Sequence, residues 1–215
     1  MTQRGIFITF EGPEGSGKST QVAELSRRLE GRGLGVLQTR EPGGTPVGEA
    51  IREILQHDEA GESICEEAEL LLFAASRAQL VRRVMGPALT RGDCVICDRF
   101  VDSTIAYQGY GRGVDIGKMA LINQVAIDGA IPDLTLLLDI DIQTAMRRLE
   151  NRNRITGASP DRIERENQEF HRRVRAGYLD LANQNPERFM VLDGRLPSDR
   201  ISDLIWNHVQ HLLNR

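Results

Sequence analysis

A short apolar run, Ile6-Phe7-Ile8-Thr9-Phe10, passes through Glu11 directly into Gly12-Pro13-Glu14-Gly15-Ser16-Gly17-Lys18-Ser19. The pattern G-x-x-x-x-G-K-S, set between a strand and a helix, constrains the fold more than any other feature of the chain. Its glycines let successive backbone N–H groups turn inward around one anion with no Cβ in the way. The helix that follows points its positive end at the same place. Lys18 places a cation at the β- and γ-phosphates of a nucleotide, and Ser19 and Thr20 open the helix, the Ser19 hydroxyl facing Mg²⁺. Among 27 basic residues, Lys18 and Lys118 are the lysines and the rest are arginines. A chain so biased against lysine still has one where a compact point charge is needed.

Strand-like runs lie near 5–10, 34–39, 93–97, 134–140 and 188–193, with helical patterns near 18–32, 46–57, 65–84, 115–128, 141–151, 162–184 and 198–213. Strands alternating with helices predict an α/β architecture: a parallel sheet of five strands covered by helices on both faces, three layers in all. Leu134-Thr135-Leu136-Leu137-Leu138 is apolar without alternation, as a strand buried on both faces requires. In such folds chemistry gathers at the carboxyl edge of the sheet. Four strand ends carry polar residues there: Glu11, Arg40-Glu41-Pro42-Gly43-Gly44, Asp98-Arg99-Phe100 and Asp139. At 215 residues the whole chain reads as one domain, 1–215, with its phosphate loop at 12–19.

A net charge of −4 does not favour nucleic acid as a partner. No apolar run approaches the roughly 18 residues of a membrane span, and no secretory h-region is visible, so no membrane partner is expected. Cys94 and Cys97 form C-x-x-C, but within a strand positions i and i+3 point to opposite faces, which predicts core packing rather than a shared metal or disulfide. The helix near 65–84 is apolar almost all round, as a core helix or a subunit contact would be, with Phe73 and Arg77 on one of its faces. The segment 147–175 is the most basic, and its middle, Asn151 to Pro160, reads as a mobile loop. Salt bridges on solvated helices would account for its arginines; a lid that closes arginines over a phosphate would too.

The ordered set Phe10-Glu11-Gly12-Pro13-Glu14-Gly15-Ser16-Gly17-Lys18-Ser19-Thr20, Thr39-Arg40-Glu41-Pro42-Gly43-Gly44-Thr45, Leu72-Phe73-Ala74-Ala75-Ser76-Arg77, Asp98-Arg99-Phe100, Ala106-Tyr107-Gln108-Gly109 and Asp161-Arg162-Ile163-Glu164 resembles the bacterial thymidylate kinases over nearly the whole length. These are P-loop enzymes that phosphorylate dTMP to dTDP with ATP. The resemblance implies a P-loop NTPase fold with a mobile lid at about 151–162, ATP with Mg²⁺, a homodimer and a cytoplasmic location. It implies that residues Gly12 to Thr20 hold ATP. Phe73 stacks on the thymine ring, Arg77 donates to its carbonyl, and Thr104 and Gln108 read the pyrimidine edge. Tyr107 lies against the sugar C2′, Glu14 reaches the 3′-hydroxyl region, and Arg99 and Arg40 clamp the acceptor phosphate. Pro42 completes the dTMP site, with Glu41 and Arg52 as supports. Asp98, Ser19 and Glu164 are the implied metal residues. None of the variable loop positions Pro13, Glu14 and Ser16 is an arginine, so the lid must supply the catalytic charge, from Arg152 first and Arg162 next, beside Lys18 and Arg99. Phe100 stands where a Tyr or His is more usual, and 153–160 is longer than the resemblance leads one to expect.

Rival readings keep or leave the fold. Another acceptor, dUMP above all, differs from dTMP by one methyl, worth only about 1–3 kcal/mol in a pocket. A GTPase switch would carry N-K-x-D, which is absent. A degenerate ATP-binding module would have lost Lys18, Arg99 or the lid arginines, and all are present.

Overall fold

The computed structural model describes residues 4–57 and 62–213. Within them the order is β1 (Phe7–Glu11), α1 (Lys18–Glu30), β2 (Val36–Arg40), α2 (Pro46–Gln56), α3 (Glu66–Leu80), α4 (Gly86–Arg91), β3 (Cys94–Asp98), α5 (Val101–Thr104), α6 (Ile116–Ile127), β4 (Leu134–Asp139), α7 (Ile142–Thr156), α8 (Gln168–Gln184), β5 (Phe189–Asp193) and α9 (Ser198–Leu213). The strands form one parallel sheet in the order β2-β3-β1-β4-β5. β1 is central, and the chain leaves it to build outward on either side, so the crevice at its carboxyl end is the topological switch point.

Alternation along β1 divides the core. Ile8 and Phe10 face α1 and α9 through Val22, Leu25, Leu29, Ile201, Ile205 and Val209. Phe7 faces the other way, toward Leu80, Met85 and Phe100. Cys94 belongs to the first layer and Cys97 to the second, so the two thiols lie on opposite faces. A third cluster joins Leu137 to Tyr107, Phe170, Val174 and Tyr178, beneath the carboxyl edge. Register aligns that edge: Phe10 and Arg40 both pair with Asp98, and Asp139 with Asp193.

Three regions depart from expectation. The segment read as a mobile loop from Asn151 is helical as far as Thr156, because α7 continues to a left-handed Gly157 whose N–H closes on Asn153 O. The helix expected from 162 begins at Gln168, where Asn167 caps it by accepting from Phe170 N. Residues 162–167 are instead turn, organised by Asp161 Oδ1 accepting from Ile163 N and Glu164 N. The lid region 151–162 is thus a helix end followed by a turn. Third, α5 runs into a π-helical turn, Ile105–Gly111, which the sequence pattern did not announce. A second π turn, Val81–Met85, carries α3 on into α4.

Candidate active site

The phosphate loop begins where β1 ends. Gly12 has φ +131°, and a Cβ there would meet Leu138 O at 2.4 Å, so no side chain is admitted. Gly17, φ +99°, is the N-cap of α1 and offers no side-chain cap, and the first turn of α1 holds no acidic residue. The helix N-terminus therefore keeps its N–H groups and positive end unopposed, an anion site by construction. Lys18 is folded over the loop, donating from Nζ to Gly12 O (3.0 Å) and Pro13 O (2.9 Å). Burial, with Arg99 nearby, lowers its pKa. At the loop mouth Ser19 Oγ donates to Asp98 Oδ2 at 2.9 Å.

A cleft of about 470 Å³ opens from this loop, lined there by Gly15, Gly17, Lys18, Ser19, Thr20 and Asp98. Its volume suits a small-molecule site. Gly12, Pro13 and Ser16 are buried behind the loop surface. Arg99 follows β3 with φ +71°, a left-handed conformation that costs a non-glycine residue on the order of 1–3 kcal/mol. Many bonds hold it there. Its Nη1 donates to Gly12 O (3.1 Å), Ser103 Oγ (3.2 Å) and Tyr178 OH (3.0 Å). Its Nη2 donates to Tyr107 OH (3.1 Å) and pairs with Glu14. Burial would raise the Glu14 carboxyl, but Arg99 and Lys18 hold it down to about 2. Beneath them Glu11 accepts from Phe100 N (2.8 Å), Ser103 Oγ and Tyr178 OH, and burial, reinforced by Asp102, pushes it up to about 7.

Across the cleft, Phe73 lines the wall half-buried, with Arg77, Thr104, Tyr107 and Gln108 beside it. Arg77 is 1% exposed. Its Nε donates to Glu41 Oε2 (2.8 Å), and its Nη2 to Thr104 Oγ1 (2.7 Å) and Phe100 O (3.2 Å). Its guanidinium lies over the Phe100 ring at 5.4 Å, so the aromatic face at that position is used from below. Burial outweighs Arg77 and raises the Glu41 carboxyl to about 7. Arg40, Pro42 and Arg52 line the same cleft; Arg40 Nη2 donates to both Glu49 oxygens (3.0 and 2.8 Å) and Arg52 Nη1 to Pro42 O (3.0 Å).

The third wall comes from α7 and the turn after it. Arg152 faces the cleft and donates to Glu164 Oε1 at 2.6 Å. Glu164 also lines the cleft, but its partner is Arg152, and no hydrogen bond among the described residues ties it to Ser19 or Asp98. Arg162 does not reach the cleft surface: its Nε donates to Leu55 O (3.0 Å) and its Nη2 pairs with Glu69 (2.5 Å). That turns it into a bolt between the 162–167 turn, α2 and α3. Arg148 takes the cleft position that sequence reasoning left unassigned, donating to Gly194 O (2.9 Å) and reaching toward Gly15 O. Its signal was present: Arg148 and Arg152 stand at i, i+4 on one helix. Ser103 was missed in the same way, one turn after Arg99.

A sequence model of the family described as thymidylate kinase matches residues 10–205. The chain belongs to the thymidylate kinase family. The thymidylate kinase of Deinococcus radiodurans is 49% identical over 203 residues, covering 94% of this chain and 95% of the relative. That of Pelotomaculum thermopropionicum is 54% identical over 190 residues, 88% of this chain and 86% of the relative. A crystal structure of thymidylate kinase from Ehrlichia chaffeensis superposes with a TM-score of 0.77 at 34% identity, covering 96% of this chain and 99% of that one. The α/β fold is therefore that of the P-loop NTPases, and the chain is a nucleotide-binding enzyme of the kinase class. No described helix is long and apolar enough to cross a membrane.

The residues fit Mg²⁺ in the manner of this fold. Ser19 and Asp98 set a hydroxyl and a carboxylate side by side at the loop, and no group of three or more His, Cys, Asp or Glu among the described residues could cage a metal alone. Mg²⁺ keeps several waters and takes one or two carboxylates beside substrate phosphates, so a dedicated cage is not required.

Proposed function

We propose that this chain phosphorylates dTMP to dTDP by in-line transfer of the γ-phosphate from ATP·Mg²⁺, within one domain spanning 1–215. The observation that carries the reading is the single cleft that joins a phosphate loop to the Phe73–Arg77–Gln108 wall, with Arg99 between them. The loop from Gly12 to Thr20 holds the triphosphate. Ser19 and Asp98 would hold Mg²⁺, which would screen the triphosphate charge. Arg99 and Arg40 hold the acceptor phosphate, planar forks being better suited to it than ammonium groups. That phosphate is already anionic at neutral pH, so no strong base is needed. Lys18, Arg152 and, from its place beside the loop, Arg148 neutralise charge in transfer. The lid, 151–162 with the turn to 167, excludes water as it closes.

A homodimer is part of the proposal. α2, α3 and α6 pack side by side, and Val47, Ile54, Leu71, Leu121 and Val125 are exposed on them. Apolar exposure gathered on adjacent helices marks an interaction surface.

The test is ADP release with ATP·Mg²⁺ and a panel of dTMP, dUMP, dCMP, dGMP, AMP and thymidine. Strong preference for dTMP is expected. Preference for another acceptor would discard the base-reading residues, and no acceptor-dependent turnover at all would discard the kinase reading.

A further inference from the structure

Glu69 stands four residues before Phe73 and eight before Arg77, on the same face of α3, and is 1% exposed. It carries no role in the reaction described above. Its Oε1 accepts from Gln108 Nε2 at 2.7 Å and from Arg112 Nε at 3.3 Å. Its Oε2 accepts from Arg112 Nη2 at 3.3 Å and pairs with Arg162 Nη2 at 2.5 Å. Every contact made to it is from a donor. Burial would raise its carboxyl, yet the Gln108 hydrogen bond and the charges of Arg112 and Arg162 outweigh burial and leave it below the ordinary value. An ionised carboxylate can only accept.

That requirement has a consequence one residue away. The Gln108 amide has two edges, one donating and one accepting. Glu69 claims the donating edge. The carbonyl edge is left over, and among the described residues no donor reaches Gln108 Oε1. Gln108 lines the cleft beside Arg77, which has donors only. The wall therefore presents a donor and then an acceptor.

We propose that Glu69 is a specificity-positioning residue: it locks the Gln108 amide with its oxygen toward the cleft, and so selects a pyrimidine with a carbonyl beside a protonated ring nitrogen. This rests on the dTMP site proposed above. Thymine and uracil carry C4=O next to N3–H and match both groups. Cytosine carries an amino group next to a bare nitrogen and mismatches both. A free amide would turn over and offer its NH₂ to that nitrogen, easing half of the mismatch. Rejection of cytosine thus depends on a carboxylate that never touches the base. Arg112 and Arg162 keep the carboxylate charged and fill its second oxygen.

The experiment is a double-mutant cycle on Glu69→Gln and Gln108→Leu, reading kcat/KM for dTMP and dCMP and the KM for ATP. A Gln at 69 can accept or donate and no longer dictates the orientation of Gln108. Glu69→Gln alone should lower the dTMP:dCMP ratio roughly tenfold, the scale of one mispaired hydrogen bond. In the Gln108→Leu background it should leave the ratio unchanged, and KM for ATP should stay constant throughout. Equal loss for dTMP and dCMP would overturn the proposal in favour of a purely structural carboxylate. An undiminished effect of Glu69→Gln in the Gln108→Leu background would overturn it by showing action through another residue. A Gln108→Leu variant with wild-type discrimination would remove the base from Gln108 and overturn the site reading itself. Should Glu69→Gln not fold, Glu69→Asp keeps the charge, withdraws it from the 2.7 Å contact, and should lower the ratio in the same direction.

Discussion

Arg152 projects from α7 into the cleft with Glu164 as its partner, and Phe73 lies on the wall with Arg77. Substitution should separate their parts in the reaction. Arg152→Ala is expected to lower kcat by about two orders of magnitude or more, the scale of a cation lost from phosphoryl transfer, while KM for dTMP changes little. Steady-state kinetics checks this; an unchanged kcat would move the role to Arg148. Phe73→Ala should weaken dTMP binding by about 1–3 kcal/mol, one base–aromatic stack, with ATP affinity preserved in calorimetry. Equal loss of both nucleotides would mean a collapsed wall. At this scale Lys18, Asp98 and Arg99 are legible in the sequence because their neighbours are fixed by chain geometry. Glu69, Ser103 and Tyr178 are not, because their meaning comes from partners 39, 92 and 79 residues away.

The inner strands β1, β3 and β4 are legible because each is a compact, mostly apolar run bounded by polar or glycine residues, as burial on both faces of the sheet requires. The π-helical turn after α5 is not, because Gly109 and Gly111 argue against a helix on propensity. Packing overrides them: a Cβ on Gly111 would meet the Phe170 ring at 2.7 Å, so the glycine is there to let α8 approach. The end of α7 was hidden by the same kind of propensity. Asn151, Asn153, Thr156 and Gly157 look like a loop, yet Gly157 closes the helix and Thr156 Oγ1 donates back to Arg152 O at 3.0 Å. The start of α8 rests on one cap, Asn167 Oδ1 accepting from Phe170 N at 2.9 Å. Asn167→Ala should cost about 1 kcal/mol, seen as a lower urea midpoint at unchanged m-value.

Over the whole molecule, two buried carboxyls set a direction for stability against pH. Glu11 and Glu41 titrate at about 7 in the fold against 4.5 unfolded, so between those values the folded chain binds more protons. Their contribution is complete below about pH 4.5 and is lost as pH rises through about 7. Burial lowers the His171 pKa from its ordinary 6.5, which opposes the carboxyls below that pH, so denaturation midpoints should fall above it, up to about pH 8, and fall less in Glu11→Gln; an identical slope in that variant would remove Glu11 from the account. The sheet edge, the cleft and the layer of α2, α3 and α6 meet in one element. α3 carries Glu69, Phe73 and Arg77 on its inner side and an exposed Leu71 on its outer side. A helix is only about 10 Å across, so whatever leans on Leu71 leans on the wall proposed to choose the base. With a second copy of the chain there, each subunit becomes the backing plate of its neighbour's reading frame. In the homodimer proposed above, fidelity would cease to belong to one chain and become a property of the assembled pair, and dilution is expected to lower the dTMP:dCMP ratio before it lowers turnover.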